Sequence, residues 1–255
     1  MTTAERSASS LGIRRVVSFT FQFIRANLGA FSALSIIVTI PTVILRYEEA
    51  LLPGEDIFTS PVIALSVVFY AVCGTALTAA ISKAIIPDRS GHIPALASCI
   101  SAVASDLVVL SAIAVVSFAL FLLGYILLVL PGFYLGAIFA VVVPVRIVEG
   151  TGFIRTFVRG AQLTRGHRWP VFGLLLASFA LTVASEAVVN ILSGDPPFAG
   201  YTGEVRSAGI GSLIGSAVAE LATSLIGATG TAVVYAELRH IKDGPGPDAL
   251  AAEFD

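Results

Sequence analysis

Six stretches of this chain are apolar for long enough to cross a lipid bilayer. They cover residues 28–45, 62–82, 107–130, 132–148, 169–190 and 213–238. A membrane-spanning helix needs about 20 predominantly apolar residues, and each stretch approaches or passes that length. Charged types make up 13% of the 255 residues, and mean hydropathy is +0.92. A soluble domain carries about 25% charged residues, so too little polar surface is left to cover a globule of this size in water. The expected fold is an all-α integral membrane domain over residues 1–243 with six transmembrane helices. An acidic tail, residues 244–255, reads as disordered. A soluble enzyme and a nucleic-acid-binding protein are excluded on the same ground.

The few cations are sorted. Arg6, Arg14, Arg15 and Arg25 precede the first span, and Lys83 and Arg89 lie between the second and third. Arg146, Arg155, Arg159, Arg165 and Arg168 lie between the fourth and fifth, and Arg239 and Lys242 follow the sixth. Those are 13 of the 15 Lys and Arg residues; Arg46 and Arg206 fall on the other side, with Glu48, Glu49, Glu55, Asp56, Asp195 and Glu204. Cytoplasmic loops collect Lys and Arg, so both termini are expected in the cytoplasm. The first apolar run begins only near Leu28 and is longer than a signal-peptide core, so it reads as a retained span. Pro41 and Pro144 should kink the first and fourth spans, with neighbours satisfying the freed carbonyls. Pro131-Gly132 reads as the turn between spans three and four, flanked by Tyr125, Phe133 and Tyr134 as interfacial aromatics.

Amphipathic cytoplasmic surface helices precede three of the spans. Arg14, Arg15, Ser18, Gln22 and Arg25 form a polar stripe opposite Val17, Phe21, Ile24 and Leu28. Arg155, Arg159 and Gln162 repeat it opposite Ile154, Phe157, Val158 and Ala161, with Gly166 as the expected helix terminator and Trp169 at headgroup level. A weaker copy sets Ser98, Ser101 and Ser105 against Leu96, Ile100 and Val103. Such helices lie in the membrane interface and offer arginine to phosphate. The expected headgroup contacts are Arg14, Arg15, Arg25, Arg155, Arg159, Arg165, Arg168 and Trp169. The starts near residues 12, 93 and 152 suggest a threefold repeat of surface helix plus two spans; chance similarity of basic loops is the alternative.

The run Leu130-Pro131-Gly132-Phe133-Tyr134-Leu135, then Val143-Pro144, Val148-Glu149-Gly150 and Gln162-Leu163-Thr164-Arg165-Gly166-His167-Arg168-Trp169, resembles the membrane domain of glycerophosphoryl diester phosphodiesterases and the related YciC-like bacterial inner-membrane proteins. Tyr235-Ala236-Glu237-Leu238-Arg239-His240-Ile241-Lys242-Asp243-Gly244 is similar to that family's C-terminal signature, and Asn27-Leu28-Gly29 to its N-terminal pattern. The resemblance implies a six-span bundle in a bacterial cytoplasmic (inner) membrane. It does not carry over the phosphodiesterase reaction, which in two-part members belongs to a separate barrel domain.

Acids inside spans are costly in lipid and draw attention to function. Glu186 lies 18 residues beyond Arg168, about 27 Å at about 1.5 Å per residue. Glu220 lies 19 residues before Arg239, about 28 Å by the same rise. Both are expected near the outer interface, with Arg46 at the same level. Ser178, Thr182, Glu186 and Asn190 recur every four residues and give span five a polar face. The candidate intramembrane polar site is therefore Glu186, Asn190, Glu220, Arg46 and Thr182. Two readings stay open: a proton-sharing, water-lined site, or acids that merely reach headgroup water. Gly211, Gly215, Gly227 and Gly230 suggest close helix approach in span six, with a homodimer seam as the alternative. The stretch from Ser207 to Ala219 reads as an outer surface helix or a re-entrant segment. Cys73 and Cys99 are isolated thiols with no expected disulfide. His92, His167 and His240 sit singly, so no metal site is expected, no cofactor motif is present, and no catalytic residue is nominated. The expected role is a non-catalytic, lipid-interacting or membrane-organising scaffold with phospholipid as partner and a protein partner or homodimer as a further option. A small transporter or channel using Glu186 and Glu220 is the alternative, and an intramembrane lipid-modifying enzyme the third.

Overall fold

A computed structural model describes residues 11–29, 31–36, 39, 61–85, 96–127, 129–198 and 210–244. Among these the regular structure is all helical, and there is no strand. The elements are α1 (Ile13–Ala26), α2 (Pro61–Ile85), α3 (Leu96–Ser105), α4 (Leu107–Leu127), α5 (Val129–Phe139), α6 (Val142–Glu149), α7 (Phe153–Thr164), α8 (Arg168–Ser193) and α9 (Ile210–Asp243). Five helical stretches are long and apolar enough to cross a membrane: Leu65–Ile85, Leu107–Gly124, Gly132–Glu149, Arg168–Ser193 and Gly211–Asp243. Of the first expected span, residues 28–29, 31–36 and 39 are helical. Pro41, Arg46 and the acids from Glu48 to Asp56 lie outside the described residues, as do Arg206 and the tail beyond Gly244.

The organising element is α9, which packs against α1, α2, α6, α7 and α8. Its Leu225, Ala228 and Ala232 join Phe31, Leu34, Leu77 and Ile81 in one cluster; its Val233, Tyr235 and Leu238 join Leu11, Val16, Val141, Val145 and Leu163 in another. Residues 210–219 continue directly into the span, so the separate outer helix expected there does not form. No turn-forming pair interrupts the run from Ile210 onward, and propagation of an existing helix adds one hydrogen bond per residue fixed.

Two proline positions differ from expectation in an instructive way. Pro131-Gly132 is not the turn; it sits within the first residues of α5, where the missing N–H of proline costs nothing. Gly132 instead lets α4 and α5 touch: a Cβ on Gly124 would lie 2.5 Å from the Gly132 Cα. Pro144 does more than kink its span. The helix breaks at residues 140–141, and Pro144 becomes the third residue of α6. The Thr164 hydroxyl lies 3.1 Å from both the Ile138 and the Gly160 carbonyl, and its single proton serves either.

The break lets α7 run back along its predecessors. Gly160 meets Val142 so closely that an added Cβ would lie 3.0 Å from its Cγ2. Gly166 does not terminate α7 as a helical cap. It occupies the third position of a type II turn, with Arg165 at φ −60, ψ 123, Gly166 at φ +91 and the His167 N–H donating to the Thr164 carbonyl at 2.9 Å. α8 therefore starts partway along α5. Trp169 meets Tyr134 at 6.0 Å between ring centroids and Phe172 at 5.7 Å. Tyr134 and Trp169 thus share a depth and cannot flank opposite interfaces about 30 Å apart.

All three expected surface segments are helical, but each has three faces rather than two. In α1 the bundle face is Val16, Thr20 and Ile24; Val17 and Phe21 beside it stay exposed, and Arg14, Ser18, Gln22 and Arg25 follow around the helix. In α7 the bundle face is Thr156, Gly160, Leu163 and Thr164, while Ile154 and Val158 point away from the protein. The apolar stripe legible in the sequence is thus largely the outward flank. In α3, Cys99 is buried and Ile100 exposed. A shift of 140 positions lays Val16, Thr20 and Ile24 on Thr156, Gly160 and Thr164, and Arg15, Gln22 and Arg25 on Arg155, Gln162 and Arg165.

The close glycine contact yields a test. Gly124→Ala should lower stability by about 1–3 kcal/mol through overpacking. Gly227→Ala, whose Cβ would meet nothing within 4 Å, should not. Thermal unfolding of the two detergent-purified variants measures the contrast.

Candidate functional site

The expected polar site is built differently from its sequence outline. Glu220 and Glu186 are 5% and 7% exposed, so neither simply extends into headgroup water. Tyr70 of α2 donates its hydroxyl to Glu220 Oε1 at 2.6 Å. Tyr70 was not foreseen, because its position 150 residues upstream leaves no local signal.

Around Tyr70 and Glu220 lies a cavity of about 320 Å³. One wall is a stripe of α2 (Tyr70, Gly74, Thr78 and their neighbours), and the facing wall is Glu220, Ser224, Ala228 and Thr231 of α9. Steps of three and four residues place each set on one helix face. Ala140 and Val143 complete the lining at the broken span, and Thr39 contributes from the first. Glu186 is not in the lining.

The polar residues of α8 have other duties. Its face from Ser178 through Thr182 to Glu186 and Asn190 becomes progressively buried toward the C-terminus. The Thr182 hydroxyl donates to the Ser178 carbonyl at 3.2 Å. Asn190 Nδ2 donates to the Pro197 carbonyl at 3.0 Å, and its own carbonyl accepts the Asp195 N–H, so it ties the helix end to the following loop. Val189 packs on Gly215, where an added Cβ would lie 3.0 Å away. Gly215 therefore serves the close approach expected of it. Gly211, Gly227 and Gly230 would each give a Cβ no neighbour within 4 Å, so they do not.

Gly227 and Gly230 instead help line an apolar groove of about 230 Å³. Its other walls are Val16, Val17, Thr20 and Phe21 of α1 with Leu174, Leu175 and Leu181 of α8. Arg14 and Arg25 are exposed on the adjacent side of α1.

The expected headgroup residues divide. Arg14, Arg25, Arg155 and Arg165 are exposed, and Trp169 is 72% exposed. Arg168 is half-buried. Arg15 is exposed and lies 3.7 Å from Glu237. Arg159 is turned inward. Its Nε donates to Glu149 Oε2 at 3.1 Å and its Nη2 to Asp243, while the Tyr235 hydroxyl donates to Glu149 Oε1 at 3.0 Å. Burial works against the Arg159 charge, but hydrogen bonds and charges from Glu149 and Asp243 outweigh it and hold its pKa above the usual value. This network clasps α6, α7 and α9. A second fork, Arg146 Nε and Nη2 on the two Asp106 carboxylate oxygens at 3.0 and 2.7 Å, ties the α3–α4 corner to α6.

Among the described residues, no group of three or more His, Cys, Asp and Glu could hold a metal ion. Cys99 is buried; burial pushes its thiol pKa up, against smaller opposing effects of Ser98 and Lys83. Taken together, five helices long and apolar enough to cross a membrane and a carboxylate-bearing cavity between two of them define a multi-pass helical membrane protein. Compared with family models, characterised proteins and solved structures, the chain finds no match.

The clasp yields a prediction. Glu149→Ala strands Arg159 and the Tyr235 hydroxyl and should cost about 1–3 kcal/mol. The Glu149→Ala/Arg159→Ala double variant should lose less than the sum of the single losses, as read by denaturant titration in micelles.

Proposed function

We propose that this protein is a non-catalytic, lipid-binding organiser of a bacterial inner membrane, with both termini cytoplasmic. In this reading it is a six-span bundle of three units, each a surface helix followed by two spans. The observation that carries it is the apolar groove beside the basic face of α1. Its walls are suited to an acyl chain, and Gly227 and Gly230 leave it open where any side chain would intrude. Arg14 and Arg25 border the same helix flank and suit the phosphate of that lipid. The matching burial of α1 and α7 at an interval of 140 residues supports the repeat. The resemblance to YciC-like proteins and phosphodiesterase membrane domains belongs to the same proposal. Its motif segments Val148-Glu149-Gly150 and Tyr235–Asp243 meet in the Glu149 clasp, which gives their chemistry a structural use.

The test uses purified protein and native mass spectrometry. Gly230→Leu should fill the groove without displacing protein atoms and should reduce the number of retained phospholipids. Arg14→Gln with Arg25→Gln and Arg155→Gln should shift the retained lipids from anionic toward zwitterionic. Retention identical to that of the unmodified protein in both variants overturns the reading.

A further inference from the structure

The apolar groove has a direction. Along α1 and onward, Val16 clusters with Val233, Val234 and Leu238 of α9, whereas Ile24, Phe31 and Leu34 cluster with Leu225, Ala228 and Ala232. Along α8, Val171 joins the first of these clusters, while Val189 packs on Gly215. Advancing along either helix therefore retreats along α9. α1 and α8 run parallel to each other, and both begin at the same end of the groove between them. Two arginines stand at that end. Arg14 comes one turn before Val17 and Arg168 one turn before Val171, and both valines line the groove. Two full turns separate Arg14 from Phe21 and Arg168 from Leu175, which also line it, so each arginine shares the groove-side face of its helix. Arg25 lies at the opposite end of the α1 wall, one turn beyond Phe21.

Arg168 is half-buried, and its Nε is buried with no hydrogen-bond partner. A guanidinium keeps its charge and has no acceptor to offer, so this donor calls for an acceptor from outside the described residues. The setting favours an anion. Neither α1 nor α8 has an acid in its first turn or a side-chain cap, so the open N–H groups of both helix starts add positive potential to that of the arginines. Glu237, one turn beyond Val234 on α9, lies 3.7 Å from Arg15. The exposed Trp169 beside Arg168 suits headgroup depth, which points to an anion carried by a bilayer lipid. A dry apolar cavity of about 150 Å³ holds benzene, so the groove's 230 Å³ holds by proportion about nine carbons, the segment of one chain. We propose that this end of the groove is a headgroup seat: one acyl chain of an anionic phospholipid lies against Gly227 and Gly230, and its phosphate is held by Arg168 and Arg14. The seat rests on the groove being the lipid site proposed above, and it makes Arg168 the residue that selects the charge of the headgroup.

The test records electron paramagnetic resonance of chain-labelled phosphatidylglycerol and phosphatidylcholine around the full-length protein in phosphatidylcholine vesicles. Phosphatidylglycerol should show the larger motionally restricted fraction. Arg168→Gln should lose that preference without lowering the unfolding temperature, because the Arg168 Nε bonds nothing in the protein. Arg25→Gln should keep the preference, and Gly230→Leu should shrink the restricted fraction of both lipids. Sodium phosphate, added at matched ionic strength, should change nothing. The proposal is overturned by a preference that is absent in the unmodified protein, undiminished in Arg168→Gln, or abolished by free phosphate. Loss of preference in Arg25→Gln but not in Arg168→Gln removes the seat and leaves the lipid-binding reading standing. Restricted fractions unchanged in Gly230→Leu remove both.

Discussion

A single missing N–H shapes much of this molecule. Pro144 cannot donate into the helix before it, and the span gives way at residues 140–141. Inside a membrane such a break survives only where neighbouring groups take up freed backbone atoms, and Thr164 stands within reach of Ile138 to do so. The bend turns α6 away from α5 and lets α7 fold back across the junction at Gly160. It also leaves Ala140 and Val143 as part of the lining of the polar cavity. Between lipid-embedded helices there is little hydrophobic drive, so close packing and hydrogen bonds carry the specificity. Gly124 on Gly132, Gly160 on Val142 and Val189 on Gly215 show that packing at three helix crossings.

At the helix ends, charge does what glycine does within the spans. Glu149 gathers Tyr235 and Arg159, Asp243 takes the other end of Arg159, and Asp106 receives the fork of Arg146. Exposed ion pairs contribute little, but these are half-buried and shared among several partners. A guanidinium fork on a carboxylate also fixes direction as well as distance. The scarcity of charge in the chain makes such groups conspicuous: Glu149, Asp106 and Asp243, placed among clustered arginines, hold arginines.

The apolar runs were readable because the requirement for unbroken hydrophobicity is written residue by residue. The three surface helices were readable for the same reason, through their period. Their orientation was not. A periodic stripe says that apolar side chains share a face, yet Ile154 and Val158 look outward while Thr156 and Gly160 dock. In lipid an apolar face need not be the buried one, so small residues mark the contact instead. Glu186 and Glu220 stood out by being acids in apolar sequence, and both proved buried. What joins Glu220 to Tyr70 was invisible, since pairing between helices depends on rotation about their axes, which composition does not encode. The glycines of α9 look alike in sequence; Gly215 receives a neighbour and Gly230 keeps one out.

Ala140 and Thr231 line both the polar cavity and the apolar groove. The partition between the polar cavity and the apolar groove is therefore, at that point, one side chain thick. Whatever presses on one surface of Thr231 is felt on the other. Thermodynamics makes any such influence reciprocal: an occupant of one space that changes the hold on an occupant of the other must have its own hold changed by the same factor. A change at Ala140 or Thr231 is a change to both spaces at once.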